Sequence, residues 1–182
     1  RRQRQMCIRD SHLDFFKDIN DIRHSFRLFA ENTAPDGVIV LNGAIEQHEA
    51  ITEGLSAKIV TYGLSADNDF YASDISYNEK GCASFLAHEG DTTIGQITLS
   101  IPGEHNVQNA LAAIALCTQM KIPVTSIISG LSAFHGTKRR FEKKGTVGGI
   151  TIIDDYAHHP TEIRATLEAA KNYPVSYTHL RA

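Results

Sequence analysis

Pro35-Asp36-Gly37-Val38-Ile39-Val40-Leu41 and Ile59-Val60-Thr61-Tyr62-Gly63 are the stretches on which the fold turns. The first is a turn signal running into a short unbroken apolar run, and the second is another such run closed by glycine. Runs of this kind suit strands buried on both faces of a parallel sheet. Upstream, Phe15, Phe16, Ile19, Ile22, Phe26 and Phe29 fall at helical spacing within 13–31, with charges on the other side, which predicts a core-facing helix. A second helix is predicted over about 45–54. Helix, strand, helix, strand is the order of an α/β sheet.

Past Gly63 the pattern changes. Residues alternate around 71–77, 83–87 and 94–101, with Asn78-Glu79-Lys80-Gly81 and His88-Glu89-Gly90-Asp91 as turns between them. Antiparallel hairpin strands are predicted there, as a small β insert or edge. After Pro102-Gly103 a helix is predicted to about residue 120, with Val107, Ala110, Leu111, Ile114 and Ala115 on one face, and another from Pro123 to about 134. Three glycines within 145–149 read as a turn or hinge, and the domain boundary is set there. The run 150–153 then reads as a strand ending in Asp154-Asp155, before a helix over 160–172.

Composition narrows the function. With 42% hydrophobic and 21% charged among 182 residues the chain can bury a core, which argues against disorder. Eighteen Lys and Arg against 21 Asp and Glu give a charge of -3, so no basic excess is available to hold a nucleic acid. Cys7, Cys82 and Cys117 are odd in number and contain no CxxC pair, which fits neither a disulfide framework nor a zinc knuckle. No apolar run approaches the roughly 18 residues a membrane span needs. A soluble, cytoplasmic protein without a membrane partner is expected. Residues 1–11 and 175–182 follow neither period and read as non-native tails.

Three segments carry candidate chemistry. In Gly103-Glu104-His105-Asn106-Val107-Gln108-Asn109, Asn106 and Asn109 stand three apart on one side of a helical turn. A carboxamide places a donor beside an acceptor, the complement of the adenine edge. The plainer reading makes Asn106 a helix cap. Lys138-Arg139-Arg140-Phe141-Glu142-Lys143-Lys144 offers guanidinium forks for phosphate, or simply a solvated basic face. Asp154-Asp155-Tyr156-Ala157-His158-His159-Pro160 follows a strand and precedes a helix, where α/β proteins place ligand groups. Its carboxylates and imidazoles would also suit a metallohydrolase, although the remaining histidines form no HExxH-like second motif.

Taken together, 103–113, Phe134-His135-Gly136-Thr137-Lys138-Arg139-Arg140-Phe141-Glu142 and 154–163 resemble the Mur ligase family in both order and spacing. The resemblance runs from about residue 12 to 174. It implies an α/β fold made of part of a central nucleotide-binding α/β domain (12–145) with a small antiparallel β portion, followed by the start of a Rossmann-like C-terminal domain (146–174). It implies an ATP-dependent, amide-forming ligase of peptidoglycan biosynthesis, acting on the small molecules UDP-N-acetylmuramate, L-alanine and ATP through an acyl phosphate. Tyr156 and Thr161-Glu162 favour the alanine-adding reaction over recycling of murein tripeptide. By the same resemblance His105, Asn106 and Asn109 contact adenine, Arg140 contacts phosphate and Asp155 lies near the ribose. Arg140 and Asp155 are the expected catalytic pair, and His12 the expected ligand of a magnesium ion (Mg2+). The phosphate-loop pattern G-x-x-x-x-G-K-[ST] is not found in the sequence, so the piece alone is expected to lack ligase activity. A metallohydrolase and a non-catalytic nucleotide-binding module are the rival classes.

Overall fold

The computed structural model describes residues 16–158 and 160–171. Helix α1 (Ile19–Ala30) is started by Asp18, whose carboxylate accepts the backbone N–H groups of Asn20 and Asp21 at 2.8 and 3.0 Å. Those amides would otherwise lack partners in the first turn. Ile22 and Ala30 are buried, but Phe26 and Phe29, expected in the core, are 47% and 76% exposed. The main packing partner of α1 is the single-turn α2 (Glu49–Thr52), which covers only a narrow stripe. Helix α2 is itself shorter than the predicted 45–54, because Gln47 has φ of 56° and a left-handed residue cannot continue a right-handed helix.

The two decisive apolar runs are strands. β1 (Val38–Asn42) and β2 (Lys58–Gly63) pair in parallel with Val40 opposite Val60. β3 (Phe70–Tyr77) joins β2 in parallel at its start, and β4 (Cys82–Glu89) and β5 (Thr92–Pro102) follow antiparallel. All five form one sheet in the order β1-β2-β3-β4-β5, so the antiparallel portion is the edge of the parallel sheet and not a separate insert.

Helix α3 (His105–Gln119) covers this sheet with the predicted face, Val107, Ala110, Leu111, Ile114 and Ala115. It packs with Val60, Phe70, Phe85 and Ile97 into the core. Each such fully buried side chain contributes roughly 1.5–3 kcal/mol. Helix α4 (Val124–Ala133) lies along β5 and adds Ile127.

After α4, β6 (Glu142–Val147) and β7 (Ile150–Asp154) form an antiparallel hairpin with Val147 opposite Ile150. The glycines read as a turn or hinge are divided: Gly148 and Gly149, at φ of 58° and 80°, make the two-residue turn, and Gly145 sits at a bulge in β6. Two consecutive left-handed residues match the twist of a hairpin, and glycine takes them without steric cost. Helix α5 (Pro160–Lys171) closes the described chain. Among the described residues no helix is long and apolar enough to cross a membrane, and Cys82 and Cys117 are free.

Candidate functional site

The sheet delivers the chain to α3 through Pro102 and Gly103. Gly103 has φ of 105°, and a Cβ there would fall 2.6 Å from His105 Cε1, so the imidazole folds back over a position that tolerates no side chain. The helix cap is Glu104, which makes no side-chain cap bond, and Asn106 lies inside the first turn; the capping reading of Asn106 is not realised. Instead Asn106 Nδ2 donates to the Pro102 carbonyl at 2.7 Å, and Asn106 Oδ1 accepts from Asn109 Nδ2 at 3.2 Å. The two amides meet as expected, but unequally. Asn106 is half-buried and uses its oxygen and a donor internally, whereas Asn109 is exposed and its oxygen and second N–H have no partner among the described residues.

The second group forms where β6 begins and β7 ends. Asp155 Oδ2 accepts the Phe141 N–H at 2.8 Å and Oδ1 accepts the Ala157 N–H at 2.7 Å, so one carboxylate ties the basic turn to the end of β7. Arg139 donates its N–H to Glu142 Oε2 at 2.8 Å, its carbonyl accepts the Tyr156 N–H at 2.8 Å, and its guanidinium lies 4.4 Å from the centre of the Tyr156 ring. Lys144 Nζ lies 2.8 Å from Glu142 Oε2. The hydrogen bond from Lys144, then that from the Arg139 N–H, hold the Glu142 carboxyl below its ordinary range. Arg140 donates its backbone N–H to Thr137, and its exposed guanidinium has no partner among the described residues.

The chain itself ties the two groups together. Ser100 Oγ donates to the Ser132 carbonyl at 2.7 Å, and a Cβ on Gly136 would lie 3.3 Å from Ile101 Cγ2. Gly136 therefore passes beside the end of β5, next to the Pro102 that anchors Asn106. The four residues from there to Arg140 reach at most about 14 Å.

The donors of the metallohydrolase reading turn to separate partners. Asp154 Oδ2 faces Lys144 Nζ at 3.6 Å, both Asp155 oxygens accept backbone amides, and His158 Nδ1 lies 3.8 Å from Glu162 Oε2. Among the described residues no group of three or more His, Cys, Asp and Glu is placed to hold a metal ion. His12 and His159 lie outside the described residues.

Sequence reasoning missed a cleft of about 440 Å³ at the carboxyl ends of β1 and β2, lined by Asn42, Gly63, Asn68 and Gln108 among others. Asn42 is 5% exposed, donates to Gln108 Oε1 at 3.0 Å and accepts the Ala44 N–H at 2.9 Å. Gln108, from the first turns of α3, is the residue of that helix that lines the cleft. The signal was present: ligands of parallel sheets gather beyond strand carboxyl ends, and an asparagine and a glycine terminate these strands. Arg139, Glu142 and Tyr156 were also missed as partners, because their contacts depend on a hairpin that the apolar pattern does not announce.

Comparison with known proteins adds an independent line. Residues 6–117 match the Mur ligase middle domain, and residues 139–181 match the Mur ligase, glutamate ligase domain. The chain is 56% identical over 167 residues to a UDP-N-acetylmuramate--L-alanine ligase of Agathobacter rectalis, which covers 92% of this chain and 36% of the relative. It thus spans about a third of that relative's length. Among solved structures, MurF from Acinetobacter baumannii superposes with a TM-score of 0.77 at 27% identity, covering 88% of this chain and 35% of the other. The UDP-N-acetylmuramate-alanine ligase of Thermotoga maritima gives 0.71 at 27% identity, covering 85% and 34%. With the middle-domain match spanning more than half of its residues, and α/β architecture shared with these structures, the chain belongs to the Mur ligase family.

Proposed function

We infer that the chain is part of an ATP-dependent ligase that joins L-alanine to UDP-N-acetylmuramate in peptidoglycan biosynthesis, in the cytoplasm. The observation that carries the reading is the 56% identity, over 92% of the chain, to a ligase of that name. In this reaction class a phosphoryl group passes from ATP to a carboxylate, and an amine then displaces phosphate to form the amide. Catalysis rests on positioning and charge neutralisation.

The local geometry supports a division of labour. Asn109, with its unused donor and acceptor, reads the adenine edge; Asn106 fixes the angle of Asn109; His105 packs beside the base. Arg140 reaches the phosphates. Asp155 holds the turn that presents Arg140, and its remaining lone pairs are open to a ribose hydroxyl. Magnesium enters the reading through His12, which lies outside the described residues.

Two domains meet between α4 and β6 in this reading. The expected division at 145/146 would cut the β6–β7 hairpin, so in this reading the boundary falls at about 134–137, before the basic turn. The test is phosphate release by the complete ligase that carries this sequence, supplied with ATP, magnesium and UDP-N-acetylmuramate. Release that requires L-alanine is expected. Release that ignores L-alanine, or that follows murein tripeptide instead, overturns the assignment.

A further inference from the structure

The basic turn contains two adjacent arginines, and the structure treats them differently. Arg139 is held at three points: its N–H by Glu142, its carbonyl by the Tyr156 N–H, and its guanidinium on the Tyr156 ring at 4.4 Å. On the other side of Arg140, the Phe141 N–H is held by Asp155. Arg139 and Phe141 both have positive φ, 60° and 46°, a conformation disfavoured for side chains of their size. Backbone of this kind persists only where its surroundings over-determine it. Arg140 sits between two pinned neighbours, and its own guanidinium has no partner among the described residues.

The geometry points to Tyr156 and Arg139 as positioning residues for Arg140: the guanidinium–ring stack locks the turn so that the Arg140 fork is aimed before phosphate arrives. This rests on the phosphate role proposed for Arg140. A stack of a cation on an aromatic face needs the ring and not the phenol hydroxyl, and it needs a planar guanidinium more than a point charge. Tyr156 is 60% exposed, so its ring adds little to a core; it meets the Arg139 guanidinium at 4.4 Å and, at a tilt, the His158 ring at 5.4 Å, and of these the Arg139 contact is the one that reaches the basic turn. The Glu142 carboxylate, paired with Lys144, supports the same turn from β6.

The test is a double-mutant cycle in the complete ligase carrying this sequence, reading kcat and KM for ATP separately. Arg140→Ala should lower kcat/KM for ATP by about a hundredfold, and Tyr156→Ala by about tenfold, because misdirected binding groups lose much of their effect. Tyr156→Phe should stay within about twofold of the parent. Arg140→Ala with Tyr156→Ala should be no worse than Arg140→Ala alone, since the second change acts through a side chain already gone. Arg139→Gln, which removes the cation and shortens the side chain so that it no longer reaches the ring, should reproduce Tyr156→Ala if that protein fails to fold.

Independent, multiplying losses would show Tyr156 to be merely structural and overturn the inference. So would a tenfold loss in Tyr156→Phe, or no loss in Tyr156→Ala and Arg139→Gln. An unaffected Arg140→Ala enzyme would instead remove the phosphate role of Arg140, and the inference with it.

Discussion

At the scale of single residues the two asparagines of α3 are chemically alike and unequally bonded. Asn106 spends its amide on Pro102 and Asn109, and Asn109 turns the remainder of the pair outward. Asn109→Ala in the complete ligase should raise KM for ATP roughly tenfold, about 1.4 kcal/mol, with kcat nearly unchanged, because the base is remote from the reacting phosphoryl group. Asn106→Ala should weaken ATP binding similarly but also cost about 1 kcal/mol of stability, as a hydrogen-bonded polar group is lost from the helix entrance. Steady-state kinetics with a denaturation curve separates the two, and an Asn109→Ala enzyme with parental KM would remove Asn109 from the site. The residue types at 103–109, 138–144 and 154–160 were legible in the sequence because their chemistry is carried by the letters. Which amide is tied to the backbone and which only to its neighbour was not legible, since that depends on where Pro102 leaves its carbonyl.

At the scale of elements, legibility followed hydrophobicity. β1 and β2 announce themselves as apolar runs, and α3 by five buried positions at helical spacing. β6 does not: Glu142-Lys143-Lys144-Gly145-Thr146-Val147 carries no apolar alternation and becomes a strand only by pairing with β7. The pairing is set by its turn. Gly148→Val would place a β-branched residue at φ of 58° and should destabilise the hairpin by about 1–2 kcal/mol, whereas Gly148→Asn should be nearly tolerated. Amide exchange of Val147 and Ile150 reads the difference. Equal protection in the two variants would mean that the turn does not set the register. Glu142 and Asp154 pair at the far end of this hairpin, beside the Arg139–Phe141 turn, so loosening the glycines also loosens the mount of Arg140.

At the scale of the whole molecule the apolar core is lopsided. Its buried cluster draws on β2 to β5, α3 and α4, from Val60 to Ile127. Beyond Ile127 Ala169 alone joins the buried hydrophobic residues among those described, while Val147, Ile150 and Ile152 are 71%, 69% and 50% exposed. Segments with few buried apolar contacts open at lower free energy than the core does. In the chain as it stands, amides of β6 and β7 should therefore exchange well before those of β4 and β5. Leu111→Ala, which empties a fully buried position of α3, should cost about 2–5 kcal/mol. That loss should speed exchange in β4 and β5 by about 25-fold or more, by the factor of ten per 1.4 kcal/mol, and leave β6 and β7 unchanged. Native-state hydrogen exchange on the parent and Leu111→Ala chains measures both. A uniform acceleration across all strands would mean that the hairpin and the sheet unfold as one cooperative unit, and that the Arg140 turn draws its rigidity from the main core. Separate responses would mean that the turn is held by its own local bonds, Asp155 to Phe141 and Tyr156 to Arg139, which lets the hairpin and its Arg140 turn move as a body while their geometry stays fixed.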